Sequence, residues 1–242
     1  MRYLVNCSYF GKNYSGWQKQ KNSKSIQEEI EKSFEKIFQK QIKIFGSSRT
    51  DTGVHAENQF FHFDIDESFD EKILIFKLNS LLSKDISINS VVSVQSNFHS
   101  RFDAVYRTYC YKITTKKKPF LQESHYFFQK KLCIRSINEV CEILKNKENF
   151  KIFSKEGSDV KNFFCKIFEI KIVQNEYELL FFIKANRFLR GMVRLLVGFL
   201  IKVGEKKINI LEVKNILEKN YFEKRPYAVP AHGLFLIEVS YK

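Results

Sequence analysis

Ser25-Ile26-Gln27-Glu28 is a capping box, in which the serine hydroxyl and the glutamate carboxylate satisfy backbone donors at the start of a helix. Ile26, Ile30, Phe34, Ile37 and Phe38 follow at helical spacing with charges between them, so an amphipathic helix runs to about Lys40 and must lay its apolar face on something. The flanking residues supply strands for it. Arg2–Tyr9 precedes the helix as a strand candidate, and Ile42-Lys43-Ile44-Phe45 and Asn58-Gln59-Phe60-Phe61-His62-Phe63 follow in strand fashion. A second helical pattern covers residues 70–82, and Ile86–Val94 returns to strand character. Strand, helix, strand, strand, helix, strand is a mixed order, which predicts an α+β class with an antiparallel sheet and helices on one face.

The second half echoes the first. A strand is expected over residues 106–113, and a helix opened by a capping box at Ser136-Ile137-Asn138-Glu139 and ending near Lys145. Strands over 163–173 and 177–184 are joined by the hairpin Gln174-Asn175-Glu176. An apolar helix then starts near Asn186 and carries Arg187, Arg190 and Arg194 on one face, at spacings of three and four. Asn209-Ile210-Leu211-Glu212 caps a last helix, and residues 233–239 form the closing strand. Two similar α/β halves are expected across one continuous sheet, residues 1–105 and 106–242. No apolar run is long enough to span a membrane, and the amino terminus lacks a signal peptide's apolar core, so a cytoplasmic protein is expected. Five cysteines without a C-x-x-C pair disfavour a disulfide framework and a zinc site, and read as reduced, mostly packed thiols.

The chain carries 41 Lys and Arg against 27 Asp and Glu, a net charge of +14 that attracts polyanions. A Lys-, Ile- and Asn-heavy composition can also reflect codon bias, and position separates the two. Residues 104–122 hold five basic residues and no acid, and residues 184–207 hold seven against Glu205 alone, which favours a nucleic-acid partner. Along the strand at 106–113, Arg107, Tyr109 and Tyr111 point the same way. That face can stack bases and pair phosphates, or the tyrosines can pack on a core. Trp17 has the same two options, stacking on a base or plugging the underside of a loop.

Arg49-Thr50-Asp51-Thr52-Gly53-Val54-His55-Ala56 is a polar turn between two strands, with Gly46-Ser47-Ser48 as the breakers before it. Working side chains sit on loops of this kind, yet Asp is also common in turns for local backbone bonding, so the residues alone leave Asp51 structural or catalytic. No Ser-His-Asp set, P-loop or dinucleotide fingerprint is legible, and His55 and His62 lack metal-ligand spacing. No cofactor and no metal are expected.

Ser48-Arg49-Thr50-Asp51-Thr52-Gly53-Val54-His55-Ala56 resembles the G-R-T-D-A-G-V-H-A signature of the tRNA pseudouridine synthase A family. Gly16-Trp17-Gln18, Phe98-His99-Ser100-Arg101-Phe102, residues 107–111, residues 186–194 and His232-Gly233-Leu234-Phe235-Leu236 match further family motifs in the family's order, over nearly the whole chain. The resemblance implies a pseudouridine-synthase-like fold of two halves sharing a mainly antiparallel central sheet with a cleft between them. It implies a homodimer that converts uridines 38, 39 and 40 of the tRNA anticodon stem-loop to pseudouridine without metal or cofactor.

It also implies roles. Asp51 becomes the catalytic carboxylate, which attacks the ribose C1′ or the base, or promotes loss of a ribose proton. Its charge needs a cation, and Arg194 is the first candidate, with Arg190 in reserve. Arg49 fills the stack that the target uridine leaves. Tyr109 packs on the uracil and helps remove its C5 proton. Arg107, Arg187 and Arg190 bind substrate. A binding protein using the same basic, aromatic face without catalysis is the rival reading, and a nucleoside hydrolase that releases the base is a second. Four departures from the family pattern stand out. Ser48 and Asn58 replace Gly, Thr52 replaces Ala, and Gly191 replaces His. Asparagine can adopt a positive φ almost as glycine can, so the change at Asn58 is mild, and Gly191 is expected to weaken its helix by up to about 1 kcal/mol.

Overall fold

The computed structural model describes residues 1–155, 157, 162–223 and 225–241. Two compact units emerge, one of Met1–Val105 with Phe235 onward and the other of Tyr106–Leu234. Both are mixed α/β structures with mostly antiparallel strands.

In the first unit, β1 (Arg2–Tyr9) leads through a loop to α1 (Ile26–Phe38), followed by β2 (Ile44–Gly46), β3 (His55–Asp64), α2 (Glu71–Leu81) and β4 (Ile86–Val94). β1 lies between β3 and β4 and is antiparallel to both, and β2 pairs with β3. Ser25 caps α1 by accepting from Glu28 N at 3.3 Å, and the helix buries Ile26, Ile30 and Phe34. The Phe34 ring meets Phe63 at 4.7 Å and Phe61 at 6.4 Å, so α1 and β3 share one aromatic core. Full burial of each such ring stabilises by about 1.5–3 kcal/mol. α2 covers the sheet with Leu74 and Leu78, while Ile73, Phe76 and Leu81 face outward.

The second unit begins in β5 (Ala104–Thr114) and continues through β6 (Tyr126–Phe127), α3 (Ile134–Lys145), β7 (Ile167–Gln174), β8 (Glu178–Ala185), α4 (Met192–Gly204) and α5 (Ile210–Lys219). β8 lies between β5 and β7, antiparallel to both. α4 is apolar on nearly every side and buried accordingly, with Phe199 packed against Phe153 and Phe222. The capping box at Asn209 is complete: Asn209 Oδ1 accepts from Glu212 N at 3.0 Å, and Glu212 Oε2 accepts from Asn209 N at 2.7 Å.

Several expectations change. The closing strand β9 (Leu234–Tyr241) lies parallel to β3, His55 opposite Phe235 and Ala56 opposite Leu236, so the last segment belongs with residues 1–105. Residue 242 falls outside the described residues. Ser136 opens no helix: α3 begins at Ile134, and the Ser136 hydroxyl meets Cys133 Sγ at 3.2 Å. Arg187 and Arg190 precede α4, whose N-cap is Gly191 at φ +70°, so only Arg194 of the three is helical. A positive φ is where glycine is preferred, and Gly191 therefore starts this helix without weakening its interior. Asn58 is absent from the positive-φ residues and sits inside β3, its side chain bonded to Asn6 and to Ile237 O. Trp17 is 1% exposed and packs over Gly46, which makes it a plug. Tyr111 is fully buried, its hydroxyl donating to Pro230 O at 2.8 Å, and so it is no stacking platform. None of the five cysteines forms a disulfide, and all but Cys133 are buried. Among the described residues no helix is long and apolar enough to cross a membrane.

Candidate active site

The turn that carries Asp51 is held by backbone from the segment between β1 and α1. Gly16 stands at φ +96°, and a Cβ there would overlap Thr50 O, so only glycine lets the two chains meet. Trp17 N donates to Thr50 O at 3.2 Å, and Gly53 N donates to Tyr14 O at 3.3 Å. Within the turn, Val54 N donates to Asp51 O at 3.2 Å, and Gly53 at φ +76° completes the reversal. The Thr50 hydroxyl lies 2.8 Å from that of Tyr9.

The ends of the turn are tied as firmly. At its entrance, Ser47 N donates to Phe60 O and the Gln59 amide donates to Ser48 O, both at 2.7 Å. At its exit, Gly11 N donates to His55 Nδ1 at 2.9 Å, and the imidazole lies between Phe10 and Phe235 at 4.1 and 4.6 Å. His55 is thus a packed acceptor, as its lack of ligand spacing implied. Thr50, Val54, His55 and Ala56 are buried, whereas Asp51 is half-buried and Arg49 and Thr52 are exposed. A short carboxylate on a turn fixed from both sides has little freedom to move away from a substrate, which suits nucleophilic or acid–base work.

The remaining expected residues belong to the second unit. Tyr109 on β5 is 7% exposed, and its ring meets Phe188 edge to face at 5.0 Å. Arg107, also buried, donates from Nη1 to Asn186 O at 3.0 Å, which pins the loop that bears Arg187 and Arg190. Arg187 donates to Asn162 Oδ1 at 3.1 Å, and Arg190 is exposed, with its carbonyl accepting from Lys155 N. Arg194 Nε donates to Val229 O at 2.7 Å while Val229 N donates to Arg194 O at 3.2 Å, so the segment before β9 orients this guanidinium. Gly198, one turn further on, lets the carbonyl of Tyr227 approach α4. Reading the sequence overlooked the parts played by Gly11, Tyr14 and Val229. The glycine beside the Trp17 motif was the legible hint of a close backbone approach, while Val229 left no signal at all. Among the described residues, no group of three or more His, Cys, Asp or Glu is placed to hold a metal ion.

The sequence profile of a family described as tRNA pseudouridine synthase matches residues 7–103 and 141–242. Those segments include Arg49, Asp51, Arg187, Arg190 and Arg194, and leave out Arg107 and Tyr109. The chain is 40% identical over 241 residues to a tRNA pseudouridine synthase A of Parabacteroides distasonis, covering 99% of this chain and 96% of the relative. It is 40% identical over 242 residues to that of Bacteroides fragilis, with the same coverage, and 38% identical over 239 residues to that of Clostridium acetobutylicum, covering 98% of both. A chain of a solved H/ACA ribonucleoprotein bound to a substrate RNA containing 2'-deoxyuridine aligns with 84% of this chain and 44% of its own length. At 11% identity and a TM-score of 0.40, that likeness is too low to argue from. The profile match on both units and the near-complete coverage of the relatives lead to one conclusion: the chain belongs to the tRNA pseudouridine synthase family.

Proposed function

We propose that this isomerase converts uridine to pseudouridine in tRNA, at positions 38, 39 and 40 of the anticodon stem-loop, with Asp51 as the catalytic carboxylate. The observation that carries the reading is the family match across a segment in which Asp51 stands half-buried on a turn clamped by Gly16 and Tyr14. The reaction breaks the N1–C1′ bond, joins C5 to C1′, removes the C5 proton and returns a proton to N1, so it balances with no oxidant or co-reactant. Asp51 acts ionised, as the nucleophile or as the base that starts the rearrangement.

Arg49, exposed at the start of the turn, fills the stack vacated by the extruded uridine. Tyr109 packs on the uracil and assists removal of the C5 proton, and Phe188 holds its ring in place. Arg194, oriented by Val229, supplies the cation that an ionised carboxylate requires in a desolvated site. Arg187 and Arg190 meet phosphates, and Arg107 contributes by holding their loop through Asn186. The active species is a homodimer, a reading that rests on family likeness and is checked by gel filtration with light scattering.

The deciding experiment is Asp51→Asn on an anticodon stem-loop transcript. Pseudouridine formation is expected to disappear while RNA binding stays within a few-fold. Unchanged modification would remove Asp51 from its role, and free uracil among the wild-type products would mark a hydrolase.

A further inference from the structure

The residues after β4 close a tight turn beside the start of β3's partner strand β2. His99 N donates to Asp103 Oδ2 at 2.7 Å, and the N–H groups of Phe102 and Asp103 donate to His99 O at 3.1 and 3.0 Å. Fully buried Ser100 anchors the turn, its hydroxyl donating to Phe45 O at 2.6 Å and lying 2.9 Å from His62 Nδ1. Arg2 secures the approach by donating from Nη1 to Phe98 O at 2.7 Å while it clamps Asp64 with two further bonds.

The anchoring produces a series of rings. Phe45 meets His62 at 5.0 Å, His62 meets His99 at 4.7 Å, and His99 meets Phe102 at 4.3 Å. The series runs from half-exposed Phe45 over buried His62 to Phe102, which is 73% exposed on a hydrogen-bonded turn. An aromatic ring held in water by so many fixed contacts is unusual for packing and well suited to stacking. The Arg101 guanidinium lies 5.7 Å from the Phe102 ring centroid, so a cation accompanies the exposed ring. Both residues line a groove of about 560 Å³ that runs between this turn, α1 and β2 and reaches Arg49. Its lining holds Lys19, Lys32, Lys43, Arg49 and Arg101 against Glu31 and Glu35; Lys19 pairs with Glu31 at 3.5 Å and Lys32 with Glu28 at 3.0 Å, so the cationic side of the groove is Lys43, Arg49 and Arg101.

We propose that this groove is a nucleotide subsite that adjoins the Asp51 turn at Arg49, taking one unpaired nucleotide of the RNA substrate with its base on Phe102 and its phosphate on Arg101 or Lys43. The inference rests on the reading of the chain as an RNA-modifying enzyme. Aromatic faces accept any base, so the subsite senses that a nucleotide is unpaired and not which base it carries. An RNA loop is the part of a folded substrate that can offer such a base.

The test uses the full-length protein and anticodon stem-loop RNAs carrying 2-aminopurine at one loop position at a time. Wild type and Phe102→Tyr are expected to quench one loop position on binding. Phe102→Ala is expected to lose that quenching, to bind about tenfold more weakly, and to raise KM more than it lowers kcat. Arg101→Ala is expected to weaken binding and to flatten its salt dependence. Wild-type affinity and an unchanged quenching pattern in both alanine variants would overturn the subsite. Quenching needs no turnover, so a wild-type protein that binds RNA but forms no pseudouridine would defeat the isomerase reading and still decide the subsite.

Discussion

A Cβ on Gly16 would lie 3.1 Å from the carbonyl carbon of Asp51, as well as overlapping the oxygen of Thr50. The close approach couples the loop before α1 to the turn that presents the carboxylate. Gly16→Ala is therefore expected to displace the turn and to strain a backbone at φ +96°, at a cost of about 1–3 kcal/mol. Thermal melting should show the destabilisation, and single-turnover assays should show a rate at least tenfold lower at a temperature where the variant is folded. A variant with wild-type melting and rate would show that the turn does not depend on this contact.

His62 should make the protein acid-sensitive. Burial, with like charge from Arg2 and His99, lowers its pKa from 6.5 to about 4. Between those values the unfolded chain binds a proton that the folded protein refuses. The stability from neutral His62 is therefore complete above about pH 6.5 and is lost as pH falls towards 4, by up to about 3 kcal/mol. Denaturant melts of wild type and His62→Gln from pH 7.5 to 4.5 should show a shallower loss in the variant.

Gly191 is expected to resist replacement for a conformational reason. Among the described residues its would-be Cβ meets only Lys155 Cβ at 3.5 Å, an ordinary contact, and the expected cost is that of φ +70°. Gly191→Ala should destabilise by about 1 kcal/mol, and Gly191→Asn by less, because asparagine tolerates the left-handed region better. Equal urea midpoints for all three proteins would contradict this.

Asn58, which stands where the family resemblance implies glycine, is expected to stabilise its strand. Asn6 Nδ2 donates to Asn58 Oδ1 at 3.2 Å, and Asn58 Nδ2 donates to Ile237 O at 2.9 Å, linking β1, β3 and β9. Asn58→Gly is expected to cost about 1–2 kcal/mol from the lost bonds and the added strand entropy. Differential scanning calorimetry should show a lower melting temperature with unaltered pseudouridine formation under native conditions.

Local chemistry made much of this protein readable from the chain. Ser25 and Asn209 announce α1 and α5 because a capping side chain acts within three residues, and Gly46-Ser47-Ser48 breaks the strand before the Asp51 turn for equally local reasons. Ser136 misled because its motif is local, whereas the true start of α3 extends to Ile134 on a face completed by Ile137, Val140 and Leu144. Arginine spacing likewise suggested one helical face, but Gly191 at positive φ stops the helix short of Arg187 and Arg190.

Tertiary packing decided the rest. No local pattern says that Phe235 and Leu236 pair with His55 and Ala56, about 180 residues away, because that choice depends on which strand edge is left with unsatisfied backbone groups. Trp17 and Tyr111 each admitted a stacking role until burial assigned both to packing. Phe102 went the other way, from a motif residue with no stated task to an exposed ring on a fixed turn. Sequence carries the signals that act over a few residues. Exposure, and the contacts that hold Asp51 in place from Gly16 and Tyr14, arise only when distant segments meet.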